Sequence, residues 1–123
     1  AEDGILYTKN KETLVRVYKT ATNDLKIDKN VKAIGYRAFY GQKSITEYKV
    51  PEGVETISYS FTYCPKLKKI EIPSTVKSIA DNCFSDATSS LEEIIIHKKE
   101  NSIAGSPFSS PFGLRAIKWV GEN

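Results

Sequence analysis

Read for apolar positions alone, the chain repeats itself. Val31, Ile34 and Phe39 are followed by Val54, Ile57 and Phe61, then by Val76, Ile79 and Phe84, and last by Ile103 and Phe108. Each later group is bracketed by a segment with apolar residues at its first, fourth and sixth positions. These are Ile45, Tyr48 and Val50; Leu67, Ile70 and Ile72; Leu91, Ile94 and Ile96; and Leu114, Ile117 and Trp119. A weaker first copy holds only Leu25 and Ile27, and successive copies lie 22 to 24 residues apart. A fixed period of this length is the signature of stacked structural units.

The two halves of the pattern predict different local structures. In Leu67-Lys-Lys-Ile70-Glu-Ile72 the last three residues alternate in, out, in, the period of a strand buried on one face. Pro51 and Pro73 follow the last inward residue, and proline has no N–H to extend a ladder, so the strand stops there. Glu52-Gly53 or Ser74-Thr75 then turns the chain into a second inward pair, Val54 with Ile57 or Val76 with Ile79. A small residue and an aromatic close the coil: Ala38-Phe39, Ser60-Phe61, Cys83-Phe84. One such turn cannot bury its own apolar side, so the copies stack.

The expected fold is therefore a β-rich repeat solenoid with a parallel sheet of about five short strands. Neighbouring strands would lie about 4.8 Å apart, giving a ribbon roughly 20 Å along the stacking axis. Ile5-Leu6-Tyr7 and Leu14-Val15-Arg16-Val17-Tyr18 flank a polar turn and predict an N-terminal β-hairpin, the atypical end unit that a repeat array needs. The organisation reads as a hairpin cap over 1–24, repeats over 25–102 and a last, atypical repeat or cap over 103–123. In that last part Ser106-Pro107-Phe108 and Pro111-Phe112 replace the usual loop, and Gly121-Glu122-Asn123 reads as a linker or boundary. This end is either a true cap or a cut through a longer array. Residues around Trp119 leave an edge open to end-to-end pairing.

Composition narrows the function classes. The 123 residues suit one domain, and the apolar and charged fractions are those of a globular chain. The longest apolar run is Ile94-Ile95-Ile96, so no membrane insertion is expected of this segment. A net charge of +3 spread along the chain lacks the concentrated basic stripe of nucleic-acid binding. There is no methionine, so a chain beginning at Ala1 is expected to be processed or cut from a longer product. Cys64 and Cys83 lie in different phases of the repeat, and two buried thiols are favoured over a bridge.

The proline-ended strands, the Val-x-x-Ile pair, the small residue with Phe and the Cys64-Pro-Lys-Leu67 step resemble the BspA-like leucine-rich repeat family. The best copies are Ile57-Ser-Tyr-Ser-Phe61-Thr-Tyr-Cys64-Pro-Lys-Leu67 and Val76-Lys-Ser-Ile79-Ala-Asp-Asn-Cys83-Phe84, and the Asp3-Gly-Ile-Leu-Tyr7 opening also looks like the hairpin that often precedes such repeats. Gln42 and Ala87 depart from the family's cysteine, and the second copy is one residue shorter between Ile57 and Phe61. The resemblance implies a secreted or cell-surface protein, found in host-associated bacteria and some protozoa, that adheres to host matrix proteins, host cells or other microbes.

Candidate contact residues fall on two faces. Outward strand positions form the column Lys26, Lys49, Glu71, Ile95 and Lys118, flanked by Asp24, Glu47, Lys69, Glu93 and Ala116. Solenoid sheets serve as recognition surfaces, but the same charges also suit a solvated face with cross-strand pairs. Ile95 is either an anchor or an ordinary exposed apolar residue. Tyr36 and Tyr59 share a phase and should stack in adjacent rungs, with Tyr40 and Tyr63 nearby. Such tyrosines are either interface anchors or a cover for the core with their hydroxyls in water. His97, the only histidine, has no convergent metal ligands and is expected in solvent. No nucleophile elbow, phosphate loop or facing carboxylate pair occurs, so neither catalysis nor a cofactor is expected. The function expected is extracellular recognition of a protein or glycan through the sheet face, with a structural spacer in a larger surface protein as the alternative. Oligomeric state is left open.

Overall fold

A computed structural model describes residues 4–80, 91–99, 102–104 and 116–121. The expectations for Asp3, Cys83, Phe84, Ala87, Phe108, Phe112 and Leu114 lie outside the described residues. Among the described residues the chain winds as a β-solenoid through nine short strands: β1 (Ile5–Tyr7), β2 (Thr13–Val17), β3 (Ala33–Ile34), β4 (Glu47–Lys49), β5 (Thr56–Ile57), β6 (Lys69–Ile72), β7 (Ser78–Ile79), β8 (Glu93–Ile96) and β9 (Ala116–Trp119).

These strands sort into two sheets on different sides of the coil. Strands β4, β6, β8 and β9 form the expected parallel sheet, with Tyr48, Ile70, Ile94 and Ile117 in register and turned toward the interior. A second sheet, β1-β2-β3-β5-β7, joins the hairpin strands to the two-residue strands β3, β5 and β7, which carry the inward isoleucines Ile34, Ile57 and Ile79. Its parallel pairing runs on to an isolated bridge between Ser78 and Ala104. Strands of two residues cannot hold together alone. Their register comes from the buried side chain each contributes, every one stabilising by about 1.5–3 kcal/mol.

The expected hairpin is present, and it does more than cover an end. Strand β1 pairs antiparallel with β2, while β2 pairs parallel with β3 through Thr13–Ala33 and Leu14–Ile34. The cap thus enters the second sheet as an additional rung. It approaches so closely that a Cβ on Gly35 would lie 2.8 Å from the Leu14 carbonyl oxygen. Tyr7 Oη accepts the Asp28 N–H at 2.9 Å and ties the hairpin to the first turn.

Four strands, not about five, make up the main sheet among the described residues, because Leu25-Lys26-Ile27 is not a strand. Its place beside β4 is taken by a side chain. Asn23 Oδ1 accepts the Thr46 and Glu47 N–H groups at 3.0 and 3.1 Å, while Asn23 Nδ2 donates to Thr46 Oγ1. One rung on, the Thr46 carbonyl accepts from Lys68 and Lys69, and after that the Lys68 carbonyl accepts from Glu92 and Glu93. Asn23 imitates with a side-chain oxygen what each later rung supplies from its backbone. That ends the sheet without leaving two donors unpaired.

Inside the coil, Phe39 and Phe61 stack with ring centroids 5.1 Å apart and planes 6° apart, and Tyr48 tilts against both. Gln42, at the position where the next copy has Cys64, is buried. Its Nε2 donates to the Val17 and Lys19 carbonyls at 3.0 Å each, and its Oε1 accepts the Ala21 N–H at 2.7 Å. Cys64 Sγ meets the Phe39 and Thr62 carbonyls. The longer amide is needed where the neighbouring turn is the irregular hairpin exit and not another repeat.

Candidate binding surfaces

The main sheet lines up its outward side chains as the repeat predicts. Lys49, Glu71, Ile95 and Lys118 are in register, and so are Glu47, Lys69, Glu93 and Ala116. Much of this charge is matched within the face. Lys118 Nζ lies 2.6 Å from Glu93 Oε2, and that hydrogen bond holds the Glu93 carboxyl below its ordinary range against opposing desolvation, helped by the Lys118 and Lys69 charges. His97 is not simply in solvent: its Nε2 sits 2.6 Å from Glu71 Oε2 and the ring is half-buried. It takes the phase of Pro51 and Pro73, but its N–H donates to the Ile72 carbonyl, a bond that proline cannot make. Ile95 is half-buried between Glu71 and Lys118, while Lys49 and Glu47 stay exposed. Lys26 lies off the sheet and shares an open depression with Lys49 and Pro51.

The tyrosines behave differently. Tyr36 and Tyr59 stack in adjacent rungs as expected, at 6.3 Å and 27°, and Tyr40 meets Tyr63 edge-on at 5.3 Å. Tyr36 and Tyr63 are 63% and 62% exposed, far more than a ring covering the core would be. Two arginines complete the group. Arg37 lies 5.2 Å from the Tyr36 centroid and 5.5 Å from that of Tyr40. Arg16, from β2, lies 5.6 Å from Tyr40 and 5.8 Å from Tyr18. Each such contact stabilises by about 0.5–1 kcal/mol at an exposed site. Among the described residues neither arginine forms an ion pair, and Arg16 Nε is buried without a hydrogen-bond partner.

Backbone strain concentrates here. Arg37 and Tyr63 both adopt left-handed φ of 57°, which costs an L-residue about 1–2 kcal/mol. Tyr63 occupies the turn position held one rung earlier by Gly41, whose φ is 73°: Gly41 N–H donates to Thr62 O just as Phe39 N–H donates to Ser60 O. Arg37 belongs to the loop between Ile34 and Phe39, which keeps the residue that the shorter second copy, Ile57 to Phe61, lacks. Sequence reasoning named the tyrosines but not Arg16 or Arg37. The length difference between the first two copies was the available signal, because a residue with no counterpart in the next turn has to bulge and re-aim its side chain.

No cluster of three or more metal-ligating side chains occurs among the described residues. No helix among them is long and apolar enough to cross a membrane.

Comparison with known proteins agrees with the fold. A search of curated proteins finds no match. A solved structure described as the pneumococcal vaccine antigen PcpA superposes with a TM-score of 0.69 at 20% identity, covering 100% of this chain and 36% of that one. The chain thus spans about a third of that protein's length. The family model described as the BspA type leucine rich repeat region matches six copies over residues 17–121. With its repeats in stacked parallel register and that model matched over most of its length, the chain belongs to the BspA-type leucine-rich repeat family.

Proposed function

We propose that this chain is a non-catalytic recognition module of a secreted or cell-surface protein, binding a protein or glycan ligand. The observation that carries the proposal is the ledge of exposed tyrosines, Tyr36, Tyr40 and Tyr63 with Tyr59 behind them, held in pairs by successive rungs. Exposed aromatic rings fixed on a rigid scaffold bind at low entropic cost and dominate interfaces. The sheet face, with Lys49, Glu71, Ile95 and Lys118 and with Lys26 at its margin, is the second contact surface. The family and the fold shared with a pneumococcal antigen support a surface location.

The test is a binding screen of the purified chain against immobilised matrix proteins, host-cell surfaces and glycans. A Tyr36→Ser/Tyr59→Ser variant probes the ledge, and a Lys49→Glu/Lys118→Glu variant probes the sheet. Saturable binding that one variant abolishes, with its melting temperature kept, supports the module and locates its contact face. Absence of binding by the folded chain would instead favour a structural spacer, a reading to which the internally matched pairs Glu71–His97 and Glu93–Lys118 lend weight.

A further inference from the structure

We infer that the tyrosine–arginine ledge is built to take an acidic, extended protein segment, its carboxylates on Arg16 and Arg37 and its apolar surface on the tyrosine rings. This rests on the recognition-module reading and narrows its ligand to one chemistry.

Charge is the first ground. Some exposed lysines meet acids, Lys32 with Glu12, Lys77 with Glu55 and Lys118 with Glu93, while others such as Lys26 and Lys49 form no ion pair among the described residues. Arg16 and Arg37 meet only aromatic rings among the described residues, so the ledge carries two positive charges that no described carboxylate balances. Guanidinium recognises carboxylate through two parallel N–H···O bonds, and those donors are unfilled here.

Geometry is the second. Both guanidiniums flank one ring, at 5.6 and 5.5 Å from the centroid of Tyr40. Residues i and i+2 of an extended chain point the same way about 7 Å apart, so acids at alternate positions can be offered together to two guanidiniums that share one ring. Tyrosine with arginine is also the composition of energetically dominant protein-interface residues.

Strain is the third. Lys11, Arg37 and Tyr63 are the non-glycine residues with left-handed φ among those described; Lys11 lies in the hairpin turn, and the other two lie in this ledge. At the position of Tyr63 the preceding rung uses Gly41, which fits without strain, so folding alone gives no reason for a tyrosine. Strained residues kept against an unstrained alternative mark functional positions.

The test titrates the 123-residue chain with a fluorescent peptide of alternating glutamate and tyrosine. A lysine–tyrosine peptide of equal length and heparin serve as comparators, at several salt concentrations. The expected result is saturable, salt-sensitive binding of the acidic peptide alone. Arg37→Ala should weaken it at least tenfold. Tyr63→Gly should weaken it severalfold while holding or raising the melting temperature, which separates the ligand role from any folding role. Binding unchanged in both variants overturns the proposal. So does binding of heparin without the peptide, which would make the ledge a glycan site, and so does no binding of the peptide. A matrix or cell ligand that is lost in the Lys49→Glu/Lys118→Glu variant but kept in Arg37→Ala would also sink the ledge, while leaving the recognition module standing.

Discussion

Replacing Gln42 tests how the hairpin is fastened to the array. Its amide makes three hydrogen bonds to the hairpin exit: to the Val17 and Lys19 carbonyls at 3.0 Å and from the Ala21 N–H at 2.7 Å. The bonds to Val17 and Ala21 are buried and that to Lys19 partly so, which leaves water little access to the groups left behind. Losing each bond costs about 1 kcal/mol, and somewhat more for the two whose stranded partner is buried. Gln42→Ala should therefore cost about 3–4 kcal/mol. At about 4 °C per kcal/mol for a chain of this size, the melting temperature should fall by about 12–16 °C. Gln42→Leu keeps the volume but none of the bonds, so it should lose nearly as much as Gln42→Ala. Gln42→Glu should be worse than either, because it aims an acceptor at two carbonyl oxygens. Thermal and urea melts measure the losses, and hydrogen exchange at the Ala21 amide shows where the opening occurs. If Gln42→Leu melted within about 3 °C of the parent chain, a loss below about 1 kcal/mol, the amide would not be what fastens the hairpin.

Three further outcomes follow from the interior and its ends. Tyr48 Oη is buried without a partner, so Tyr48→Phe should stabilise by about 0.5–1 kcal/mol; a urea midpoint below the parent's would contradict this. Asn23→Ala removes the oxygen that accepts Thr46 and Glu47 N–H; it should cost about 1 kcal/mol and speed exchange of those two amides before others in β4. Burial pushes the Cys64 thiol up to about 11, against a smaller opposing backbone hydrogen bond. A folded pKa raised above the unfolded value gives stability that is full below the ordinary thiol range and is lost as pH climbs toward 11. The chain should thus lose stability from about pH 9 upward, and Cys64→Ala should flatten that loss; equal slopes in the two proteins would show that the thiol is not responsible.

The sequence by itself determined the repeat and hence the solenoid. Only a side chain buried in every rung explains why apolar residues recur at Ile34, Ile57 and Ile79 and at Tyr48, Ile70, Ile94 and Ile117, and that periodicity is local information. Proline at 51 and 73 marked where strands stop, and the shared phase of Tyr36 and Tyr59 foretold their stacking. What only the tertiary structure decided concerns contacts between residues with no periodic relation. Asn23 ends the main sheet, Gln42 binds the hairpin exit, and His97 reaches back 26 residues to Glu71. Each depends on a long polar side chain meeting an irregular neighbour, which pattern does not encode. The ledge lies between the two cases. Its tyrosines were legible because they repeat. Arg16 from the hairpin and Arg37 from a loop one residue longer than the next join them only because β2 stacks beside β3, and a long-range backbone pairing sets the position of both charges.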